Sequence, residues 1–215
     1  TTYQVQLQPT CADADTWSAT YTFHTLCESI VVTDTWSEGF EDGELSFCWD
    51  QVGNGTWTVG TGDYNESTGA HTGTYNAKIT FSAYDNVTKL ITPVLDLTSL
   101  NNPMLTFWYI NRKWSNDIDG FAVYYRTASD AEWTQIYTTE DAHATWTMAS
   151  YVLPNPSATY QIAFEMTDNY GYGVGIDDVT IAEAPTFTKT IAAVGEENWE
   201  GGKSGYYLIA SPVDL

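Results

Sequence analysis

Apolar and polar residues alternate in short segments along this chain of 215 residues, and a period of two is typical of a β-strand with one buried face. Residues 160–166 and 121–126 alternate cleanly, while residues 104–110 are apolar on both faces, as in the middle of a sandwich. We find no helical stripe. Further strands are predicted near Ile79 and Phe81 and at residues 90–97, 133–137 and 146–153, with turns at 53–55, 101–103, 116–117, 129–130 and 154–156. This spacing indicates an all-β sandwich or jelly roll of antiparallel sheets.

The charge balance excludes one class of partner. The chain has 28 Asp and Glu against 7 Lys and Arg, a formal net charge of −21. Because such a surface repels polyphosphates, we expect no nucleic-acid partner, whereas divalent cations are attracted.

No apolar run approaches the ~20 residues that a membrane-spanning helix needs. We expect a monomer that is secreted or displayed on a cell surface. The 9 Trp and 15 Tyr exceed what one core needs.

Three segments are predicted along the chain. Residues 1–32 hold two strands, too few to be stable alone, and residues 33–183 form the main module. Residues 184–215 are predicted to be a linker and the opening strands of a following domain. Because residues 1–7 already alternate like a strand and no signal peptide is visible, we expect residue 1 to lie inside a longer precursor.

Three cysteines cannot all pair with one another. Residues 3–10 and 18–26 are predicted to form a hairpin, which would place Cys11 near its turn and Cys27 at its far end. That separation, roughly 25 Å, exceeds the roughly 6 Å between Cα atoms in a disulfide. Cys27 with Cys48 is therefore the favoured pair. Three free thiols are the alternative.

Two acidic motifs bracket the main module, Phe40-Glu41-Asp42 at its start and Gly175-Ile176-Asp177-Asp178 at its end. The first and last strands of a closed β-module are commonly neighbours, and clustered carboxylates repel unless a hard cation lies between them. If Val179 and Ile181 face the core, the two-residue period puts Asp177 on the same side, so Glu41 and Asp177 are predicted to share a Ca²⁺. Asp178 would join them if a bulge shifts the register. The alternative is that Asp177 caps backbone amides without a metal.

No arrangement of side chains typical of an enzyme stands out. The nucleophile motif Gly-X-Ser-X-Gly is absent, and the three histidines lack the spacing of zinc ligands. Asp63 and Glu66 are a conceivable glycosidase pair, but turn carboxylates explain them equally well. Asp117 and Asp119 hint at a second cation site, although a solvated turn is the simpler interpretation. We expect no catalytic activity.

Aromatic residues in predicted loops are candidates for ligand binding. Trp114 lies between Lys113 and Ser115, and Tyr170 and Tyr172 alternate with glycines. Aromatic rings on loops bring a large contact area at little cost in entropy. The alternative is that they cap the ends of the sandwich.

Five segments together resemble the cleaved-adhesin domain, a relative of MAM domains found in the adhesin regions of gingipain proteases. They are residues 39–43, 47–49, 90–97, 119–125 and 175–181. The resemblance implies a jelly roll with a structural calcium and a role in adhesion. It also implies that main-chain oxygens of a turn, here from Thr72 to Tyr75, complete the metal shell. Residues 1–28 are similar to the last two strands of a fibronectin type III domain, through Trp17-Ser18 and Thr25-Leu26-Cys27.

We therefore expect a non-catalytic adhesion module of a secreted, multidomain bacterial surface protein, with an extracellular protein or a glycan as its ligand. Two alternatives stay open. One is a carbohydrate-binding module attached to a polysaccharide-degrading enzyme, and the other is a structural spacer.

Overall fold

The computed structural model describes residues 2–10, 17–64 and 67–186. Within these residues the regular structure is entirely β, and no helix has the length and apolar character that crossing a membrane requires. The strands are β1 (Thr2–Val5), β2 (Tyr21–His24), β3 (Ile30–Val31), β4 (Thr35–Glu38), β5 (Asp50–Gly53), β6 (Thr58–Gly60), β7 (Asn76–Ile79), β8 (Val87–Ile91), β9 (Leu95–Asp96), β10 (Pro103–Asn111), β11 (Gly120–Arg126), β12 (Thr134–Thr139), β13 (His143–Val152), β14 (Gln161–Thr167) and β15 (Val174–Glu183).

Two antiparallel sheets form the sandwich. One has the order β13-β10-β15-β7-β6, with β4 also paired to β15, and the other has the order β12-β11-β14-β8-β5. Strands that are distant in sequence lie side by side, as in a jelly roll. The predicted fold class is confirmed.

Alternation along the central strands builds the core between the sheets. Ile162, Phe164 and Met166 of β14 are buried, and they face Leu105 and Phe107 of β10 within one apolar cluster. Strand β10 is central in its sheet, flanked by β13 and β15. Phe81 departs from the prediction, because β7 ends at Ile79 and Phe81 lies in the loop that follows.

The first and last strands of the main module are neighbours. Strand β4 pairs antiparallel with β15, with Ser37 opposite Thr180 and Glu38 opposite Val179. Both acidic motifs adjoin this pairing, which brings them to one end of the sheet.

A β-bulge in β15 changes the face on which Asp177 lies. Thr106 of β10 is opposite Thr180, but Trp108 is opposite Asp177, so three residues of β15 span two residues of β10. Asp178 has a positive φ of 46° at this point. The prediction that the Asp177 side chain lies on the core side of the strand is therefore wrong. It shares the outer face with Trp108, whose neighbours Phe107 and Tyr109 point into the core.

The segment before the main module is tied to it covalently and by a short parallel pairing. Cys27 and Cys48 form a disulfide with 5.7 Å between their Cα atoms, which is the pair favoured by the sequence. Strand β3 pairs with β9, and Val32 is buried in the sandwich core. Cys11 and residues 187–215 lie outside the described residues, so the predicted following domain stays a prediction, as does the fibronectin-like character of residues 1–32.

Candidate functional site

A loop of residues 71–75 is held by carboxylates from both acidic motifs. Glu41 accepts hydrogen bonds from the amides of Thr74, at 3.0 and 3.1 Å to its two oxygens, and of Tyr75 at 3.0 Å. Asp177 accepts from the amides of His71 at 2.9 Å and Thr72 at 3.2 Å. The two carboxylates thus hold successive halves of one loop.

Asp178 holds the same loop through side chains. It accepts from the Thr72 hydroxyl at 2.7 Å and lies 2.6 Å from Nδ1 of His71. The His71 ring in turn stacks on Trp108, with 3.7 Å between centroids and 15° between planes. The five residues predicted to surround a metal, Glu41, Thr72, Tyr75, Asp177 and Asp178, therefore come together at this loop.

Asp177 is fully buried under the loop. Burial raises its pKa from 3.8 to about 6, with the neighbouring Asp178 adding to the rise, although amide hydrogen bonds from residues 178, 72 and 71 oppose it. Desolvation raises the pKa because it penalises the charged form of the carboxyl, and this effect is larger than that of the hydrogen bonds.

The donor set at this loop is made of oxygen atoms, which suits Ca²⁺. In the part of the chain that the structure describes, however, no three His, Cys, Asp or Glu side chains are close enough to hold a metal by themselves. A cation here would need main-chain oxygens, and the observed contacts present amide hydrogens to Glu41 and Asp177. The arrangement shown is thus the amide cap that the sequence left open as the alternative.

A second cluster lies where four loops meet, and we call it the aromatic cleft. It encloses 150 Å³ and is lined by Tyr64, Phe81, Trp114, Tyr170, Gly171 and Tyr172. Tyr64 is 61% exposed, Trp114 48% and Tyr170 42%. The ring centroids of Trp114 and Tyr172 lie 5.2 Å apart, and those of Phe81 and Tyr170 lie 4.4 Å apart. Both pairs are in an edge-to-face arrangement. The three aromatic residues predicted to bind ligand are all here.

An ion pair beneath the cleft fixes Tyr172. Arg112 donates from Nε and Nη2 to the two oxygens of Asp63 at 2.5 and 2.7 Å, and its guanidinium lies 4.6 Å from the centre of the Tyr172 ring. Asp63 is fully buried, which makes it a structural residue here. Glu66, its conceivable partner in a glycosidase pair, lies outside the described residues.

Two more buried carboxylates shape the loop of residues 168–173. Asp119 accepts hydrogen bonds from the amides of Asn169, Gly171 and Gly173 at 2.7, 3.0 and 2.6 Å. Asp168 accepts from the amide of Ser82 at 2.6 Å, which fixes the adjoining loop. Tyr170 has a positive φ of 67°, a conformation that is rare for a bulky residue and persists where its surroundings enforce it.

Asp119 therefore differs from its predicted role in a solvated turn. It is 1% exposed, and burial raises its pKa although its amide hydrogen bonds act in the opposite direction. Its carboxylate binds the backbone amides of Asn169, Gly171 and Gly173, which lie 50 to 54 residues further along the chain.

Sequence reasoning missed several members of the cleft. Phe81 was predicted to lie in a strand, and neither Tyr64 nor Arg112, which supports Tyr172, was predicted to belong to a binding site. The excess of Trp and Tyr over the needs of one core was a signal, but it names no position.

The comparisons with known proteins agree with this architecture. A family model described as MAM domain, meprin/A5/mu, matches residues 35–186. A sequence comparison with curated proteins found no match.

The solved structures that are similar to this chain include the following three. The K1 cleaved adhesin domain of Lys-gingipain from Porphyromonas gingivalis W83 is 21% identical with a TM-score of 0.52, over 70% of this chain and 99% of that one. TmCBM61, solved with beta-1,4-galactotriose, is 19% identical with a TM-score of 0.51, over 67% and 94%. The family 22 carbohydrate-binding module of Clostridium thermocellum Xyn10B is 14% identical with a TM-score of 0.50, over 73% and 97%. At these identities the likeness shows the fold.

Proposed function

The chain belongs to the MAM domain family through residues 35–186, and we propose that its sandwich is a non-catalytic binding module that holds a glycan in the aromatic cleft. The resemblance of the sequence to the MAM-like cleaved-adhesin domains is confirmed, since their solved structures share its fold. The observation that carries the proposal is the convergence of aromatic rings from four loops in one concavity, where Tyr64, Trp114 and Tyr170 are exposed.

The shape and chemistry of the aromatic cleft suit a sugar. A pyranose ring has an apolar face that can lie against an aromatic ring, while its hydroxyl groups need polar partners at the edges. Tyr64, Tyr170 and Trp114 offer both, because a Tyr or Trp side chain is an apolar body with a polar group. The loop that carries Tyr170 is held by Asp119 and Asp168, and Asp63, next to Tyr64, is held by Arg112, so that less ordering entropy remains to be lost there on binding.

Two of the similar structures support a sugar ligand. One carbohydrate-binding module was solved with a galactotriose, and the other has a cleft whose amino acids act in ligand binding. They share the fold of this chain at 14–19% identity, so they support the class of ligand and leave its identity to experiment.

A protein ligand is the second candidate. The cleaved adhesin domains favour it by their name, and exposed aromatic residues are also enriched at protein interfaces. The cleft of 150 Å³ fits one sugar residue or one protruding side chain.

The test is a glycan array, followed by calorimetry with the best oligosaccharide on wild type, Trp114→Ala and Tyr170→Ala. We expect each substitution to weaken binding at least about tenfold, or 1.4 kcal/mol. Trp17→Ala is the matched control, since Trp17 is also exposed but lies outside the cleft. An array without any bound glycan would overturn the sugar ligand, and a chain that binds neither glycans nor extracellular proteins would be a spacer.

The loop of residues 71–75 is the second part of this proposal. We infer that Glu41 and Asp177, with Asp178 and main-chain oxygens of Thr72 to Tyr75, hold a structural Ca²⁺ once the loop turns its carbonyl groups toward them. The buried carboxylate of Asp177 and the all-oxygen donor set support this.

We also place the protein outside the cytosol as a monomeric module. The disulfide between Cys27 and Cys48 supports secretion or surface display, because disulfides persist in oxidising compartments.

A further inference from the structure

A larger cavity lies on the outer face of the five-stranded sheet, and we call it the sheet-face cavity. It encloses 360 Å³, within the range of roughly 300–1,000 Å³ that is usual for ligand pockets. Along β11 and β14 the core residues Phe121, Val123 and Phe164 alternate with residues of the other face, among which Ala122, Tyr124 and Glu165 line this cavity. Apart from Phe121, its lining residues lie outside the core cluster, and it shares no lining residue with the aromatic cleft.

The cavity forms where Ala122, a small residue, lies among larger side chains on the same face of the sheet. Four residues on adjacent strands lie directly opposite one another. They are Thr138 of β12, Ala122 of β11, Glu165 of β14 and Lys89 of β8. Side chains in such a row point to the same face. The methyl group of Ala122 leaves a hollow between Thr138 and Glu165.

The floor of the cavity is a built polar network. Glu165 is 8% exposed, accepts a hydrogen bond from the Tyr124 hydroxyl at 3.0 Å and forms an ion pair with Lys89. Lys89 also lies 4.8 Å from the centre of the Tyr124 ring. A carboxylate so buried is costly unless it is paired and hydrogen-bonded. Here Lys89 and Tyr124 both bind Glu165, and Tyr124 and Glu165 line the cavity.

The charges around the cavity select against anions. Lys89 neutralises Glu165, and the carboxylates of Asp85 and Glu140 lie at the rim. The hydroxyl of Thr138 and the amide of Asn169 add neutral hydrogen-bonding groups. We propose that the sheet-face cavity is a second binding site, specific for a neutral sugar of an oligosaccharide and independent of the aromatic cleft.

The two sites border the same loop but use different side chains. Asn169 lines the sheet-face cavity, while the next residue, Tyr170, lines the aromatic cleft. Substitutions can therefore separate them.

The experiment maps amide chemical shifts of the full chain during titration with short neutral oligosaccharides, namely β-1,4-linked galacto-, xylo- and gluco-oligosaccharides. The variants are Ala122→Leu, which fills the hollow without changing charge, Tyr124→Phe, which removes one hydroxyl from the floor, and Trp114→Ala in the aromatic cleft. We expect shifts at Thr138, Ala122 and Asn169 that persist in Trp114→Ala and need at least about tenfold more sugar in Ala122→Leu and Tyr124→Phe.

Three outcomes would overturn the second site. They are shifts confined to the loops of the aromatic cleft, shifts at the sheet face that are unchanged in Ala122→Leu, and no shift anywhere in the chain with any of these sugars. Sheet-face shifts without any response in the cleft would instead refute the proposed glycan site in the cleft and leave this one standing. The unfolding midpoint of Ala122→Leu and Tyr124→Phe, compared with wild type, verifies that each variant is folded.

Discussion

Glu41 and Asp177 accept hydrogen bonds from successive halves of the loop of residues 71–75. Glu41 binds the amides of Thr74 and Tyr75, and Asp177 binds those of His71 and Thr72. The two carboxylates come from opposite ends of the main module, which the pairing of β4 with β15 brings together. Gly73, between the two halves, has a φ of +60°, and a Cβ there would lie 2.4 Å from the Glu41 carboxylate. The loop can approach Glu41 this closely only with glycine at that position.

Calcium should stabilise the fold through this loop. A ligand that binds only the folded state adds about 2.7 kcal/mol at a hundredfold excess over its dissociation constant. Added Ca²⁺ should therefore raise the melting temperature of chelator-treated protein by several degrees, as measured by calorimetry. Asp177→Asn should abolish the response, whereas Asp130→Asn, at an exposed turn, should retain it. An identical melting curve with chelator and with calcium would establish the amide cap as the whole role of these carboxylates.

The stability of the metal-free protein should depend on pH through Asp177. Its pKa is about 6 in the folded protein and 3.8 in the unfolded reference, so the folded state binds more protons between these values, and stability falls as pH rises through them. The full difference corresponds to about 3 kcal/mol.

The measurement for this pH effect is urea denaturation of wild type and Asp177→Asn in chelator between pH 4 and 7. The stability of the wild type relative to Asp177→Asn should decrease across this range, with a slope that diminishes as pH rises through about 6. A constant difference between the two proteins would contradict the raised pKa.

Breaking the ion pair beneath the aromatic cleft should destabilise the protein. Asp63 is fully buried and bound by two hydrogen bonds to Arg112, and removing one partner of a buried pair costs about 3–5 kcal/mol. Asp63→Asn should therefore lower the free energy of unfolding in urea by about that amount. The matched control is Asp50→Asn on an exposed strand, for which we expect a change below about 0.5 kcal/mol.

Gly171→Ala should displace the loop that carries Tyr170 and Tyr172. A Cβ at residue 171 would lie 2.5 Å from Oδ2 of Asp119 and 2.8 Å from its backbone nitrogen, so the loop or Asp119 must move. We expect faster amide exchange at Asn169 and Gly173 in Gly171→Ala. Gly39→Ala should leave exchange at these amides unchanged, because the nearest atom to its Cβ would be 3.8 Å away.

The sequence predicted the parts of this structure that local patterns encode. Alternation along residues 160–166 identified β14 and its buried side chains, because the pattern directly records which face is covered. The acidic motifs at the two ends of the main module also met as expected, since the first and last strands are neighbours.

Features that depend on one irregular residue or on distant partners were not visible in the sequence. A single extra residue at Asp178 moved Asp177 to the outer face, and nothing in the alternation of Val179 and Ile181 marks a bulge. Asp119 lies in a turn rich in polar residues, and only the fold brings the amides of Asn169 and Gly171 to it. The contact of Asp63 with Arg112 likewise joins two loops.

The disulfide between Cys27 and Cys48 determines how this module would carry a mechanical load. Residues 28–47, with strands β3 and β4, lie inside the loop that the covalent bond closes. When the chain is pulled from both ends, tension that arrives at Cys27 crosses the bond to Cys48 and bypasses these twenty residues. Strands β3 and β4, and Glu41 between them and Cys48, then carry no direct tension, whereas their pairing partners β9 and β15 lie in the part of the chain through which the force passes.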